Sequence, residues 1–228
     1  MNSLFFKETT IKLNDFYNSN TLNIFSDASI MGKHPNFAGC YGAIAVCKDD
    51  IIDSTYRIAS HTTNNESEIK GIRTAISLAY KYSKKYKFIN IFSDSQISVF
   101  GLRDYIYNWN YHDGVLTGYG NKEIKNQSIF IESHYLIKEL ILNNDVIVKI
   151  YHQSGHVGND FNSIKEAAWI FRKSNKIVGN IDLNFIRYIS TYNNYIDHTS
   201  RSYLRRCNHN ITYCDPIYFV PKDKINIF

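Results

Sequence analysis

The sequence predicts a mixed α/β protein: a five-stranded sheet in which three antiparallel strands are followed by two parallel ones, flanked by helices. Three observations carry this expectation. Apolar runs with strand character alternate along the chain with stretches whose apolar residues recur at helical spacing. The first three strand-like runs are separated only by turns, whereas the fourth and fifth each follow a helix. The pentapeptide Asn-Ile-Phe-Ser-Asp occurs at Asn23 to Asp27 and again at Asn90 to Asp94, so two strand-like runs end on an aspartate in the same way.

The elements follow in order. "TLNIFSDAS" reads as a strand, and "GCYGAIAVCKDDIIDSTYRIAS" as two more, with Asp49-Asp50 as the hairpin turn between them. "TTNNESEIKGIRTAISLAYKYSKKY" carries Ile69, Ile72, Ile76 and Ala79 at helical spacing behind a Thr/Asn cluster suited to capping. "KFINIFSDSQ" is a fourth strand, placed parallel to the first by a right-handed crossover. "SVFGLRDYIYNWN" continues as helix, "DGVLTGYGNKE" as a Gly-rich loop, "QSIFIESHYLIKELILNN" as helix and "DVIVKIYHQS" as the fifth strand. "NSIKEAAWIFRKSN" is a further helix, with Ile164, Ala167, Ala168 and Phe171 on its apolar side.

Composition narrows the function classes. Of the 228 residues, 44% are hydrophobic and 15% aromatic, which suits a packed core and not a disordered chain. No run of about 18 apolar residues is present to span a bilayer. The start "MNSLFFKETTIKLNDF" lacks a basic, then apolar, secretory leader, so a cytoplasmic protein is expected. The four cysteines, Cys40, Cys47, Cys207 and Cys214, are too scattered for a disulfide framework and are expected to be reduced. A net charge of +5, from 26 basic and 21 acidic residues, leans mildly toward a polyanionic partner.

Four carboxylates attract interest. If the first and fourth strands are parallel neighbours, Asp27 and Asp94 meet at one sheet edge; each alone also reads as a plain strand-ending aspartate. Glu68 borders the apolar stripe of its helix, where an unpaired charge is costly, although a glutamate near a helix start is also favoured by the macrodipole. Glu166 lies off its helix's apolar stripe and by itself reads as a solvated surface residue. A cluster of such groups persists when neutralised, and all-oxygen donors select Mg²⁺ or Mn²⁺. Two such ions suit phosphodiester hydrolysis.

With these residues in view, the chain resembles the type 1 ribonuclease H family from about Leu22 to Phe171. "IFSDAS" is similar to the family's first strand, with Ala28 where glycine is usual. "GCYGAIAV" resembles the second strand, "TTNNESE" the Thr-Asn-Asn that precedes the catalytic Glu, and "FSDSQ" the third acidic motif. "GHVGNDFNSIKEAA" resembles the segment holding a mobile His, a Gly, an Asn and the last carboxylate, matched by His156, Gly158, Asn162 and Glu166.

The resemblance implies cleavage of the RNA strand of an RNA/DNA hybrid with two Mg²⁺ ions, leaving 5′-phosphate and 3′-hydroxyl ends. It assigns Asp27, Glu68, Asp94 and Glu166 as metal ligands and His156 to proton transfer or product release. Asn65 and Gln96 match minor-groove contacts and Thr63 a DNA-phosphate contact, with Ala28, Ser29, Asn64, Ser95 and Asn162 adjoining as substrate-binding positions. Taken without it, His156 reads as a loop residue and the polar ones as turn or cap residues. Glu166 stands where Asp is common, and the segment after Trp109 holds two lysines where many relatives carry a basic protrusion, so weaker or differently placed substrate binding is expected.

The expected organisation is an N-terminal segment over 1–21, too short for a separate hybrid-binding module, a ribonuclease H domain over 22–173 and a C-terminal extension over 174–228. In the extension Arg201, Arg205 and Arg206 are interleaved with Tyr and Ile, which suits nucleic-acid contacts as well as a structural appendage. Cys207, His209, Cys214 and His198 fit no usual zinc spacing. A DNA-directed nuclease of the same fold, such as a junction resolvase, and a non-catalytic hybrid-binding protein are the other readings. The Thr-Asn-Asn and Asp-Ser-Gln segments speak against the first and the retention of all four acids against the second. A phosphoacceptor signalling domain also uses strand-end aspartates but does not call for Glu68 or the segment from His156 to Glu166.

Overall fold

The computed structural model describes residues 10–32 and 38–206. A single turn, α1 (Leu13–Phe16), leads into β1 (Thr21–Met31), and β2 (Ala38–Cys47) and β3 (Asp50–Ser60) follow as an antiparallel meander. Helix α2 (Asn64–Tyr82) crosses to β4 (Phe88–Ser93), parallel to β1. After α3 (Gln96–Phe100), which widens into a π turn through Tyr105, come the short strands β5 (Asn110–His112) and β6 (Val115–Thr117), then α4 (Gln127–Asn143). Strand β7 (Ile147–His152) runs parallel to β4, and α5 (Phe161–Ser174) and α6 (Leu183–Arg206) complete the order. The sheet order is β3-β2-β1-β4-β7, the three antiparallel and two parallel strands expected.

The repeated pentapeptide has a structural counterpart. Asn23, Ile24 and Phe25 pair in register with Asn90, Ile91 and Phe92 across the parallel strands. Side chains alternate across a strand, so like residues point the same way. Ile24 and Ile91 join the core under α2 and α4, whereas Phe25 and Phe92, stacked with ring centroids 5.0 Å apart, join the core under α5 and α6. The asparagines are buried and satisfied: Asn90 donates to Asn23 Oδ1 at 3.0 Å, and Asn23 donates to the Phe16 carbonyl at 2.8 Å and to the Tyr188 hydroxyl at 3.0 Å.

Each helix follows its apolar spacing. Ile69, Ile72, Ile76 and Ala79 of α2 are buried on the sheet, and Arg73 of the same helix forms a buried ion pair with Glu132 of α4 at 3.1 Å. In α6 the buried stripe is Phe185, Ile189, Asn193, Ile196, Ser200 and Leu204, and it lies on β1 and β2.

The structure departs from the sequence reading at three places. The hairpin between β2 and β3 turns on Lys48-Asp49, with Lys48 at positive φ and Asp50 already paired to Cys47, one residue earlier than Asp49-Asp50. The stretch read as a Gly-rich loop contains β6, because Asp113 and Gly114 both take positive φ and close a β5–β6 hairpin of the type that favours Asp-Gly. Residue 173 is no packing boundary: Phe185, Ile186, Ile189 and Ile196 belong to the same core as Phe25 and Phe92, and Ile11 bridges Ile181. Cys207, His209 and Cys214 lie outside the described residues; Cys40 and Cys47 are free thiols. Among the described residues no helix is long and apolar enough to cross a membrane.

Candidate active site

Asp27 sits on β1 on the side of Asn23 and Phe25, the face that α6 covers, and Asp94 follows the last residue of β4. Their register brings both to one sheet edge. Glu68 arrives from the first turns of α2, whose start is capped by Thr63 accepting the Glu66 amide at 3.2 Å. Where α2 crosses β1 the backbones come close: a Cβ on Gly71 would stand 3.2 Å from the Asp27 carbonyl. These three carboxylates line one open cavity of about 620 Å³, together with Ala28, Ser29, Asn64, His156, Arg201, Arg205 and a carboxylate that the sequence reading did not single out, Asp197 of α6.

The pKa shifts report how crowded these groups are. Burial first, and then the charge of Asp94, push the Asp27 carboxyl up to about 8; the Ala28 N–H that it accepts at 2.7 Å opposes the rise, and Asp197 and Glu68 add to it. Glu68 is raised by burial and by Asp94, against bonds from Ser95 and from Asn64, whose amide donates to Oε1 at 2.7 Å. Asp94 is raised by burial, with Asn193, a backbone N–H and His156 opposing and Asp197 adding to the rise.

Asp94 is also held sterically. A Cβ on Gly155 would fall 2.4 Å from Asp94 Oδ2, so glycine there lets the loop after β7 lie against the carboxylate without displacing it. On the other side Asn193 donates to Asp94 Oδ2 at 3.4 Å while accepting from the buried Gln153 at 2.6 Å. His152 Nε2 lies 3.2 Å from the Asp94 carbonyl oxygen, and burial lowers its pKa to about 4, which keeps the imidazole neutral.

Asp197 has two nitrogen neighbours: the Arg201 guanidinium, with Nε at 2.8 Å one helical turn on, and the His156 ring, with Nδ1 at 3.5 Å. His156 itself sits at positive φ on an exposed loop.

Glu166 and Asn162 are not brought to this cavity. Helix α5 buries Ile164, Ala167 and Phe171, and this turns Glu166 and Asn162 to solvent. The spacing that singled them out, an asparagine four residues before an acid, recurs at Asn193 and Asp197, and this second copy faces the cavity. Reading α5 as the last helix hid it, because α5 is interposed between the His156 loop and the helix that lies on β1. Among the substrate-binding positions, Ala28, Ser29 and Asn64 line the cavity, Asn65 and Gln96 are exposed at the starts of α2 and α3, and Ser95 is buried as the cap of α3. Arg206 is exposed and does not line the cavity.

The donor set suits a hard divalent cation in kind: all carboxyl oxygens, half-buried or buried, and open to solvent on one side. Among the described residues no three such side chains stand close enough together to enclose an ion as they are arranged. Asp197 is turned toward Arg201 and His156.

The family model described as RNase H matches residues 19–168, well over half of the chain. The chain belongs to the ribonuclease H family. It is an enzyme of that class, and the family depends in general on divalent metal. The match ends within α5, before the helix that carries Asp197. Among solved structures, the PFV RNase H domain is 14% identical with a TM-score of 0.50, covering 67% of this chain and 90% of its own. RNase H1 from the halophilic archaeon Halobacterium salinarum is 16% identical with a TM-score of 0.41, covering 66% and 93%. LC11-RNase H1, solved in complex with an RNA/DNA hybrid, is 14% identical with a TM-score of 0.41, covering 58% and 85%. No curated protein matches the chain by sequence.

Proposed function

We propose that this ribonuclease H hydrolyses the RNA strand of RNA/DNA hybrids by a two-metal mechanism that leaves 5′-phosphate and 3′-hydroxyl ends, with Asp27, Glu68, Asp94 and Asp197 as the ligands of the ions. The observation that carries the reading is the convergence of these four carboxylates, from β1, α2, the end of β4 and α6, on one open cavity. Mg²⁺ is the cation such oxygens favour, and when bound it supplies charge neutralisation and Lewis-acid assistance to phosphodiester hydrolysis.

The chain's own residues do the rest. Asn64 and Asn193 orient Glu68 and Asp94 through the bonds described above. His156, with Nδ1 toward Asp197 and an exposed position on the cavity wall, moves a proton to the departing 3′-oxygen through its other ring nitrogen. Arg201 and Arg205, one and two turns beyond Asp197, face the cavity where a phosphate would lie. Asn65 and Gln96, exposed at two helix starts beside the cavity, read the minor groove and its 2′-hydroxyls, and Thr63 meets the DNA phosphates. The RNase H family match over residues 19–168 supports this substrate class.

The test is cleavage of matched RNA/DNA, RNA/RNA and DNA/DNA duplexes with Mg²⁺ and with EDTA. Cutting of the RNA strand of the hybrid alone, abolished by EDTA, is expected. Comparable cutting of DNA/DNA would move the enzyme to the DNA-directed class, and binding without cutting would make it a hybrid-binding protein.

A further inference from the structure

Helix α5 is the element that hydrolysis leaves without a task. It is fixed at both ends. Asp160 caps its start by accepting the Asn162 and Ser163 amides at 3.0 Å, and the buried Arg103 grips its end, donating to the Ser174 carbonyl at 2.7 Å and to Asn175 Oδ1 at 2.6 Å. Ile164, Ala167 and Phe171 face the core, so the opposite face is held outward. That face carries Phe161, Lys165, Trp169 and Lys173 at successive turns, with Arg172 and Lys176 beside them and Glu166 as the one acid of the helix.

The pattern is specific in kind. Phe161 and Trp169 are 53% and 59% exposed, a large aromatic area to leave in water twice on one helix face. Each has a lysine over its ring, Lys165 Nζ at 4.4 Å from the Phe161 centroid and Lys173 Nζ at 4.9 Å from that of Trp169. Trp169, Arg172, Lys173, Lys176 and Ile177 line a second, shallow cavity of about 460 Å³. Of the four cations only Lys176 has an ionic partner among the described residues, Asp104 at 3.4 Å. Aromatic rings alternating with unpaired cations along a rigid element match a strand of bases and phosphates, the rings stacking on bases and the cations meeting phosphates. A duplex offers phosphates but no open base faces along its length, so the two exposed rings favour an unpaired strand.

We propose that the outward face of α5 binds single-stranded nucleic acid that continues from the duplex in the carboxylate cavity. Phe161 stands five residues after His156, a lining residue of that cavity, and Lys173 is about 18 Å further along the helix. A strand leaving the catalytic cavity past His156 thus meets Phe161 first and Trp169 two turns later. The thinly basic segment after Trp109 fits this placement, since affinity for the flank is supplied at α5 instead. The proposal rests on the hybrid-hydrolysis reading only for the identity of the strand.

The experiment measures the affinity of the full-length chain, in EDTA so that nothing is cut, for a blunt RNA/DNA hybrid and for the same hybrid carrying a single-stranded extension at either end. Two variants are compared with the parent: Phe161→Ala with Trp169→Ala, and Lys165→Glu with Lys173→Glu, which keeps both rings. The parent is expected to bind one extended hybrid about tenfold more tightly than the blunt one. Both variants should lose that gain while retaining the parent's affinity for the blunt hybrid and its turnover at saturating substrate. For the charge variant the log-log salt slope on the extended probe should fall by about 0.7 per lost contact. Equal affinity of the parent for blunt and extended probes overturns the proposal, as does a gain that survives in both variants. Equal weakening of blunt and extended probes also overturns it, by assigning the face to duplex. A parent that distinguishes the probes but cuts no hybrid in Mg²⁺ would overturn the hydrolysis reading and leave this one standing.

Discussion

Asp27→Asn is the substitution for which the structure yields the clearest magnitude. Asp27 is 7% exposed, and its carboxyl is raised from 3.8 to about 8 by burial and then by Asp94, with Asp197 and Glu68 adding to the rise. A carboxyl that holds its proton more tightly folded than unfolded stabilises fully below pH ~4, and this contribution is lost as the pH climbs through ~8. Asparagine keeps the acceptor for the Ala28 amide and removes the charge. At 1.36 kcal/mol per unit, the variant's advantage over the metal-free parent grows by up to about 4 kcal/mol between about pH 5 and pH 9. Water entering the open cavity screens the group, so about 2 kcal/mol is expected, or roughly 4 to 8 °C in Tm for a chain of this size. Thermal melts of both proteins in EDTA across this range measure the difference. Added Mg²⁺ should stabilise the parent more than the variant. An offset in Tm that is flat with pH, or that shrinks as the pH rises, would refute the reasoning that Asp27 bears the strain of a crowded cluster.

Three further outcomes are expected. Asn193→Ala removes a bond to Asp94 and strands the buried Gln153 amide; stability should fall by about 1 to 3 kcal/mol in a denaturant titration, and turnover by about 10- to 100-fold. Gly155→Ala drives a methyl into Asp94 Oδ2; kcat should drop sharply while the denaturation midpoint records a loss of only about 1 to 3 kcal/mol. A chain ended at Ser174 removes Phe185, Ile186, Ile189 and Ile196 from the core; at about 1.5 to 3 kcal/mol each this rivals the whole stability of a domain, and near-ultraviolet circular dichroism should show no fixed tertiary packing.

Most of the fold was legible because it follows periodicity. The paired asparagine-to-aspartate segments lie side by side in register as their repetition implied, and the α2 stripe of Ile69, Ile72, Ile76 and Ala79 is buried as its spacing required. The β5–β6 hairpin was hidden because its strands span three residues each, too few for alternation to show; only Asp113-Gly114 marked it. At the site, Asp27, Glu68, Asp94 and His156 came from motifs that are local in sequence. That Asp197 lines the cavity and Glu166 does not depends on which helix packs on β1, a long-range fact. Locally, Asn162 to Glu166 and Asn193 to Asp197 carry the same spacing. What separates them is that α6 has a long buried stripe containing Asn193, whereas α5 turns both Asn162 and Glu166 outward. Arg201 and Arg205 stood out as an arginine group, and their place in the cavity wall follows from the same helix.

The most direct test of this account compares Asp197→Asn with Glu166→Gln in single-turnover cleavage of an RNA/DNA hybrid in Mg²⁺, each checked for a folded, cooperative melt. Asp197 lines the carboxylate cavity and Glu166 does not. Asp197→Asn should therefore lose about a hundredfold or more, the upper end of what losing even an outer partner of a metal site costs, while Glu166→Gln should cut at nearly the parent rate. Near-parent cleavage by Asp197→Asn together with a collapse in Glu166→Gln would contradict the account and return the fourth ligand to α5.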